Sequence, residues 1–124
     1  MSNITELVNR YLAGWNETDA RRRGELIANT WTEDASYVDP ARRGDGHDGI
    51  SAMIQQVQES YPGCRVRLVG AIDAFADRVR FRWEAIDANG APMHLVGADF
   101  GVVAGDGRLK SITGFVDQAP AMAH

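Results

Sequence analysis

Partway along this chain the spacing of apolar residues changes from that of a helix to that of a strand, and this switch restricts the folds open to it. Ile4, Leu7, Val8, Tyr11, Leu12 and Trp15 recur three or four residues apart, forming one apolar stripe on a helix. Asn16-Glu17-Thr18-Asp19 interrupts it. Thr18 or Asp19 is placed to cap a second helix, with Leu26, Ile27 and Trp31 on one side, although Gly24 weakens that helix. A short strand is expected from Ala35 to Asp39, stopped by Pro40, and Ala41 to Gly49 has the composition of a loop. A third helix carries Ile50, Met53, Ile54, Val57 and Tyr61 on one stripe and ends at Pro62-Gly63. Beyond it the period becomes two. Strands are expected over Arg65 to Phe75, Arg78 to Ile86, Met93 to Val103 and about Arg108 to Asp117. Ala76-Asp77, Asp87 to Gly90 and Gly105-Asp106-Gly107 supply the turns between them.

Helices followed by strands on short turns define an α+β chain with an antiparallel meander. The three amphipathic helices are the available cover for the sheet's apolar face, and a strongly curved sheet wrapped around them leaves a concavity suited to a small molecule. With 124 residues and no repeat or linker, residues 1–124 are expected to form one domain, with 118–124 as a frayed tail. A net charge of −4 argues against nucleic acid as a partner. A single cysteine, Cys64, excludes an intrachain disulfide. The sequence shows no apolar run long enough to span a bilayer and no secretory leader at Met1, which makes the cytoplasm the expected compartment and excludes the membrane as a partner.

Three polar residues stand where the pattern asks for apolar ones. Tyr11 lies in the middle of the first stripe, Asp39 ends the first strand, and Asp99 interrupts the run Leu95 to Val103. Each has two readings. Tyr11 is a packing residue with its hydroxyl at the edge, or a donor in a cavity. Asp39 is a turn residue before proline, or a base. Asp99 points to solvent from the outer face of its strand, or is buried and requires a partner or a raised pKa.

The order of elements, together with Val8 to Leu12, Trp31 to Pro40, Gly49 to Met53, Gly97 to Phe100 and the late Gly105 to Asp117 pattern, resembles the nuclear transport factor 2-like superfamily. Within it the chain resembles the ketosteroid isomerases and the SnoaL-like polyketide cyclases. The resemblance implies a cone-shaped α+β fold with a deep apolar pocket, and a homodimer formed through the outer face of the sheet. It implies a cofactor-independent isomerase or lyase acting on a steroid- or polyketide-like carbonyl compound. Asp39 would be the general base, with Tyr11 and a protonated Asp99, kept neutral by its apolar surroundings, as donors to the carbonyl oxygen. Two other functions share the fold: a binding domain without chemistry, and an epoxide hydrolase, which would need Arg82 to face inward. Val57 stands where the isomerases carry a supporting tyrosine, and the loop after Asp39 adds Arg42, Arg43 and His47.

Trp15, Trp31, Tyr37, Met53, Phe81 and Trp83 are the expected lining of the pocket. His47 and His94 lack metal-ligand spacing, so no metal is expected. His94 falls on the strand face opposite Asp99 if alternation holds, and His47 belongs either to the surface or to a pocket rim. Arg21-Arg22-Arg23 reads as a solvated face, and Cys64 as inert.

Overall fold

The computed structural model describes residues 3–119. The elements run α1 (Ile4–Asn16), α2 (Ala20–Thr30), β1 (Trp31–Val38), β2 (Arg43–Asp45), α3 (Gly46–Ser60), β3 (Arg65–Phe75), β4 (Arg78–Ile86), β5 (Pro92–Val103) and β6 (Leu109–Gln118). Local chemistry sets the first boundaries. Asn3 Oδ1 accepts from the Glu6 amide at the start of α1, and Asp19 Oδ2 from the Arg22 amide at the start of α2. Each satisfies one of the orphan N–H groups that open a helix. At the other end of α1 the Asn16 side chain leaves the helix pattern and pairs both ways with the Val66 backbone, at 2.9 and 2.8 Å. It thereby anchors the edge strand β3 to α1.

The strands form one open, curved sheet in the order β2-β1-β6-β5-β4-β3, with the three helices packed on one face. β3 to β6 are the expected antiparallel meander, whereas β1 pairs parallel with β6. The buried core lies between the helices and this inner face and includes Leu7, Val8, Ile27, Ile50, Ile54 and Ile112.

Three sequence expectations need correction. Trp31 is not on the second helix. That helix stops at Thr30, and Trp31 opens a strand reaching Val38, in place of the short strand from Ala35 to Asp39. A register break between Trp31 and Ser36 against β6 interrupts simple alternation, which hides the first half of the strand from a period-two reading. Second, the supposed loop from Ala41 to Gly49 contains β2, and α3 begins inside it at Gly46. Pairing with β1, Tyr37 opposite Gly44 and Val38 opposite Arg43, is what makes Arg43–Asp45 a strand. Third, Arg23 is 1% exposed, while Arg21 and Arg22 remain on the surface. Its guanidinium lies between α2 and α3, where Ser51 Oγ, Gln58 Oε1 (2.9 Å), Gln55 Oε1 and the Glu17 carbonyl (3.0 Å) accept from it. Neutral acceptors take four of its five N–H donors, which is how a charge can be tolerated there.

Of the tail expected to fray, Gln118 closes β6 opposite Val96, and residues 120–124 lie outside the described residues. No helix among the described residues is long and apolar enough to cross a membrane.

Candidate active site

On β5, Gly97, Asp99 and Gly101 face the helices, while Phe100 between them is exposed. Alternation in the pleat produces this division, and it settles the two readings of Asp99: the residue is 3% exposed, on the inner face. Its strand neighbours are Phe81 on β4 and Gly114 on β6. The parallel register of β1 with β6, Val38 opposite Thr113, brings the next residue, Asp39, alongside Gly114. A methyl group built on Gly114 would stand 3.0 Å from Asp99 Oδ1, 3.1 Å from the Tyr37 hydroxyl and 3.2 Å from Asp39 Cβ. Two carboxyl groups and a phenol thus crowd over a glycine that leaves them room.

The polar heads form two hydrogen-bonded pairs. From α1, the Tyr11 hydroxyl donates to Asp99 Oδ2 at 2.7 Å, and Trp83 Nε1 donates to Asp99 Oδ1 at 3.0 Å. From β1, the Tyr37 hydroxyl donates to Asp39 Oδ2 at 2.6 Å, while the amides of Ala41 and Arg42 both donate to Asp39 Oδ1 at 2.8 Å. Asp39 is therefore both a turn residue and a member of the cluster. Trp83 reaches Asp99 because Gly97 lies directly across from it; a Cβ there would come within 2.5 Å of the indole.

Aromatic side chains from the expected lining pack against these pairs. Tyr11 packs against Trp31 and Phe81, with ring centroids 5.6 and 5.5 Å away. Trp15 meets Tyr37 edge-on at 5.4 Å, and Met53 is buried from α3. The packing closes the interior: Tyr11 is 3% and Tyr37 5% exposed. Asp39, Trp15, Trp83 and Arg42 are half-buried. A depression of about 350 Å³ lies instead on the opposite face of the sheet, lined by Arg80, Ala98, Asp99, Phe100, Thr113 and Phe115. Asp99 can share it only through its backbone, because its side chain faces the helices.

Burial pushes the Asp99 carboxyl up to about 6; the hydrogen bonds from Tyr11 and Trp83 oppose the rise, and the charge of Asp39 adds to it. Such an acid is mostly ionised at pH 7, with about one molecule in ten protonated. The protonated form that a donor role for Asp99 requires therefore predominates only below about pH 6. Burial, then the Asp99 charge, raise the Tyr11 phenol well above its usual range. Burial followed by Asp99 does the same for Tyr37. Both phenols remain donors.

Other residues singled out in the sequence lie elsewhere. His47 Nε2 donates to the Trp31 carbonyl at 2.8 Å, at the far end of β1 from Asp39. His94 is exposed, at a left-handed φ of 58°. Arg82 is exposed on the outer face, 4.0 Å from Asp117, so the arginine required for epoxide hydrolysis is not supplied there. Cys64 is half-buried, and burial raises its thiol, as suits an inert residue. Among the described residues there is no group of three or more potential metal ligands. The role of Tyr37 as partner to Asp39 was not foreseen. Its i, i+2 spacing from Asp39 on a strand is the signal that was available.

The chain belongs to the SnoaL-like domain family, whose profile matches residues 8–112. Among solved structures it is similar to a candidate isomerase of the SnoaL-like family from Agrobacterium tumefaciens, at 36% identity and a TM-score of 0.87, covering 91% of this chain and 96% of that one. A nuclear transport factor 2-like protein of unknown function from Exiguobacterium sp. 255-15 shares the fold at 18% identity, with a TM-score of 0.70 and coverages of 90% and 98%. So does a candidate polyketide cyclase from Sinorhizobium meliloti, at 15% identity, with a TM-score of 0.68 and coverages of 88% and 93%. A search of curated proteins returns no match.

Proposed function

We propose that the chain is a cofactor-independent isomerase or lyase that removes a proton next to a carbonyl group of a hydrophobic small molecule. The observation that carries this reading is the convergence of Asp99, Tyr37 and Asp39 over Gly114, within a surround of aromatic rings. Asp39 is the base. Three donors already hold its oxygens, which fixes its rotamer and leaves one of about four acceptor positions for the substrate proton. As the C–H bond breaks, charge gathers on the carbonyl oxygen. Tyr11 donates to that oxygen once Asp99 takes up a proton and donates to the phenol in turn, which reverses the bond between the two side chains without moving either from its place. Asp39 then returns the proton to another carbon of the conjugated product in an isomerisation, or the electron pair expels a leaving group in a lyase. A SnoaL-like relative described as a candidate isomerase agrees with this chemistry.

The competing reading is a binding domain in which the half-buried polar groups around Asp39 hold a ligand without turnover; the Tyr11 hydroxyl, whose one donor is spent on Asp99, favours it. The two separate on deuterium exchange at the α-carbon of cyclic enones and ketosteroids, followed by NMR. The isomerase reading expects exchange that falls at least about 100-fold in Asp39→Asn, the usual scale for general-base catalysis. Exchange unchanged in that variant removes Asp39 as the base, and its absence in the wild-type protein leaves the binding domain.

The chain also presents a surface for a second copy of itself. Phe100 is 37% and Phe115 57% exposed beside the depression on the outer face of the sheet, and uncovered aromatic area of this kind favours association.

A further inference from the structure

The geometry points to Arg42 as the residue that selects the substrate, by pairing with a carboxylate carried on the carbonyl compound. The inference rests on the proton-abstraction site proposed above and adds the class of molecule that enters it. β1 and β2 form a hairpin in which Tyr37 lies opposite Gly44 and Val38 opposite Arg43. The pairing extends one step further, since the Asp39 amide donates to the Arg42 carbonyl at 2.9 Å. Asp39 and Arg42 are therefore cross-strand neighbours at the hairpin's end. Strand alternation also gives Arg42 a side. Arg43 and Asp45 are exposed and paired with each other at 3.1 Å, while Gly44 between them is buried against α3. Arg42 shares the parity of Gly44, and hence the face that carries Tyr37 and Asp39.

A guanidinium beside a carboxylate would ordinarily pair with it. Here the oxygens of Asp39 are taken by Tyr37 and two amides. Among the described residues no carboxylate lies within ion-pair distance of Arg42, in contrast to Arg43 with Asp45 or Arg108 with Glu33 and Asp106. The side chain is half-buried, and its positive charge acts on the Tyr37 phenol against the effect of burial. A cation held partly out of water, next to the base and without a partner, is matched by an anion brought in by the ligand. The planar fork of arginine suits a carboxylate. A purely apolar steroid would bury this charge and return nothing for it.

The test compares 2-naphthol, a neutral probe for the phenol-binding donors, with 3-hydroxy-2-naphthoate and 6-hydroxy-2-naphthoate, which add a carboxylate at two distances. Binding is followed by naphthol fluorescence. The wild-type protein is expected to bind at least one naphthoate about tenfold more tightly than 2-naphthol, the gain from one charge-assisted pair. That ratio should fall to near one in Arg42→Gln, recover in part in Arg42→Lys, and persist in Arg43→Gln. Should the glutamine variant fail to fold, salt titration of the wild-type protein supplies the same comparison. Raising salt from 0.05 to about 0.5 M should weaken the preferred naphthoate and spare 2-naphthol. A ratio near one in the wild-type protein, or one that survives Arg42→Gln, overturns the assignment of Arg42. If 2-naphthol still binds there and is lost in Tyr11→Phe, the proton-abstraction site stands without it. If 2-naphthol does not bind, or binds equally to Tyr11→Phe, the site itself falls and takes Arg42 with it.

Discussion

Asp99 is the buried carboxyl through which pH acts on the cluster. Its folded value of about 6 lies above the ordinary 3.8 because burial disfavours the charged form. The stability that goes with a neutral Asp99 is therefore complete below about pH 4 and is lost as pH rises through 6. The gap corresponds to roughly 3 kcal/mol at most. Asparagine keeps the shape and cannot ionise. Urea denaturation at pH 4 and pH 7 should show the wild-type protein losing about 2–3 kcal/mol more than Asp99→Asn over that interval. Equal losses in the two proteins would mean that the carboxyl is not held out of water. The two tyrosines act at the same scale. Neither phenol ionises in an accessible range, so any change of state in the cluster near neutral pH belongs to a carboxyl group.

At the scale of elements, the cluster depends on where strands carry no side chain. Gly97 sits under Trp83, and a Cβ there would lie 2.1 Å from the Phe115 carbonyl and 2.5 Å from the indole. Gly97→Ala should cost at least about 2 kcal/mol and displace Trp83 from Asp99, read as a shift in tryptophan emission together with a lower urea midpoint. Gly105→Ala, where a Cβ meets nothing within 4 Å, is the comparison expected to stay within about 0.5 kcal/mol. The helices and the meander β3 to β6 were legible in the sequence because each buries one face and shows its period openly. The first half of β1 was not, since the break between Trp31 and Ser36 spoils alternation. β2 was not either: three residues, Arg43–Asp45, are too few to show a period. Arg23 was misread with its two exposed neighbours because a run of like charge says nothing about which member α3 will cover.

For the whole molecule, the helices cover one face of the sheet and leave the other open, with Phe100 and Phe115 uncovered around the depression beside Arg80. Phe115→Arg should shift the protein from dimer to monomer in sedimentation at micromolar concentration while leaving its circular dichroism unchanged. A wild-type protein that sediments as a monomer would end the proposal that this face pairs with a second copy. By itself the sequence determined the α+β order, the apolar stripes and the family likeness, because periodicity and turn chemistry are local and written residue by residue. It also marked Tyr11, Asp39 and Asp99 as misfits in apolar surroundings. What it left open was where their side chains go. Only the tertiary structure decided that Asp99 faces the helices, that Tyr11 bonds to it across 88 positions of chain, and that Tyr37 belongs to Asp39. It likewise decided that Arg42, and not Arg82, stands beside Asp39. Those outcomes depend on strand register and on bulges, where a one-residue slip would turn each of these groups to the opposite face.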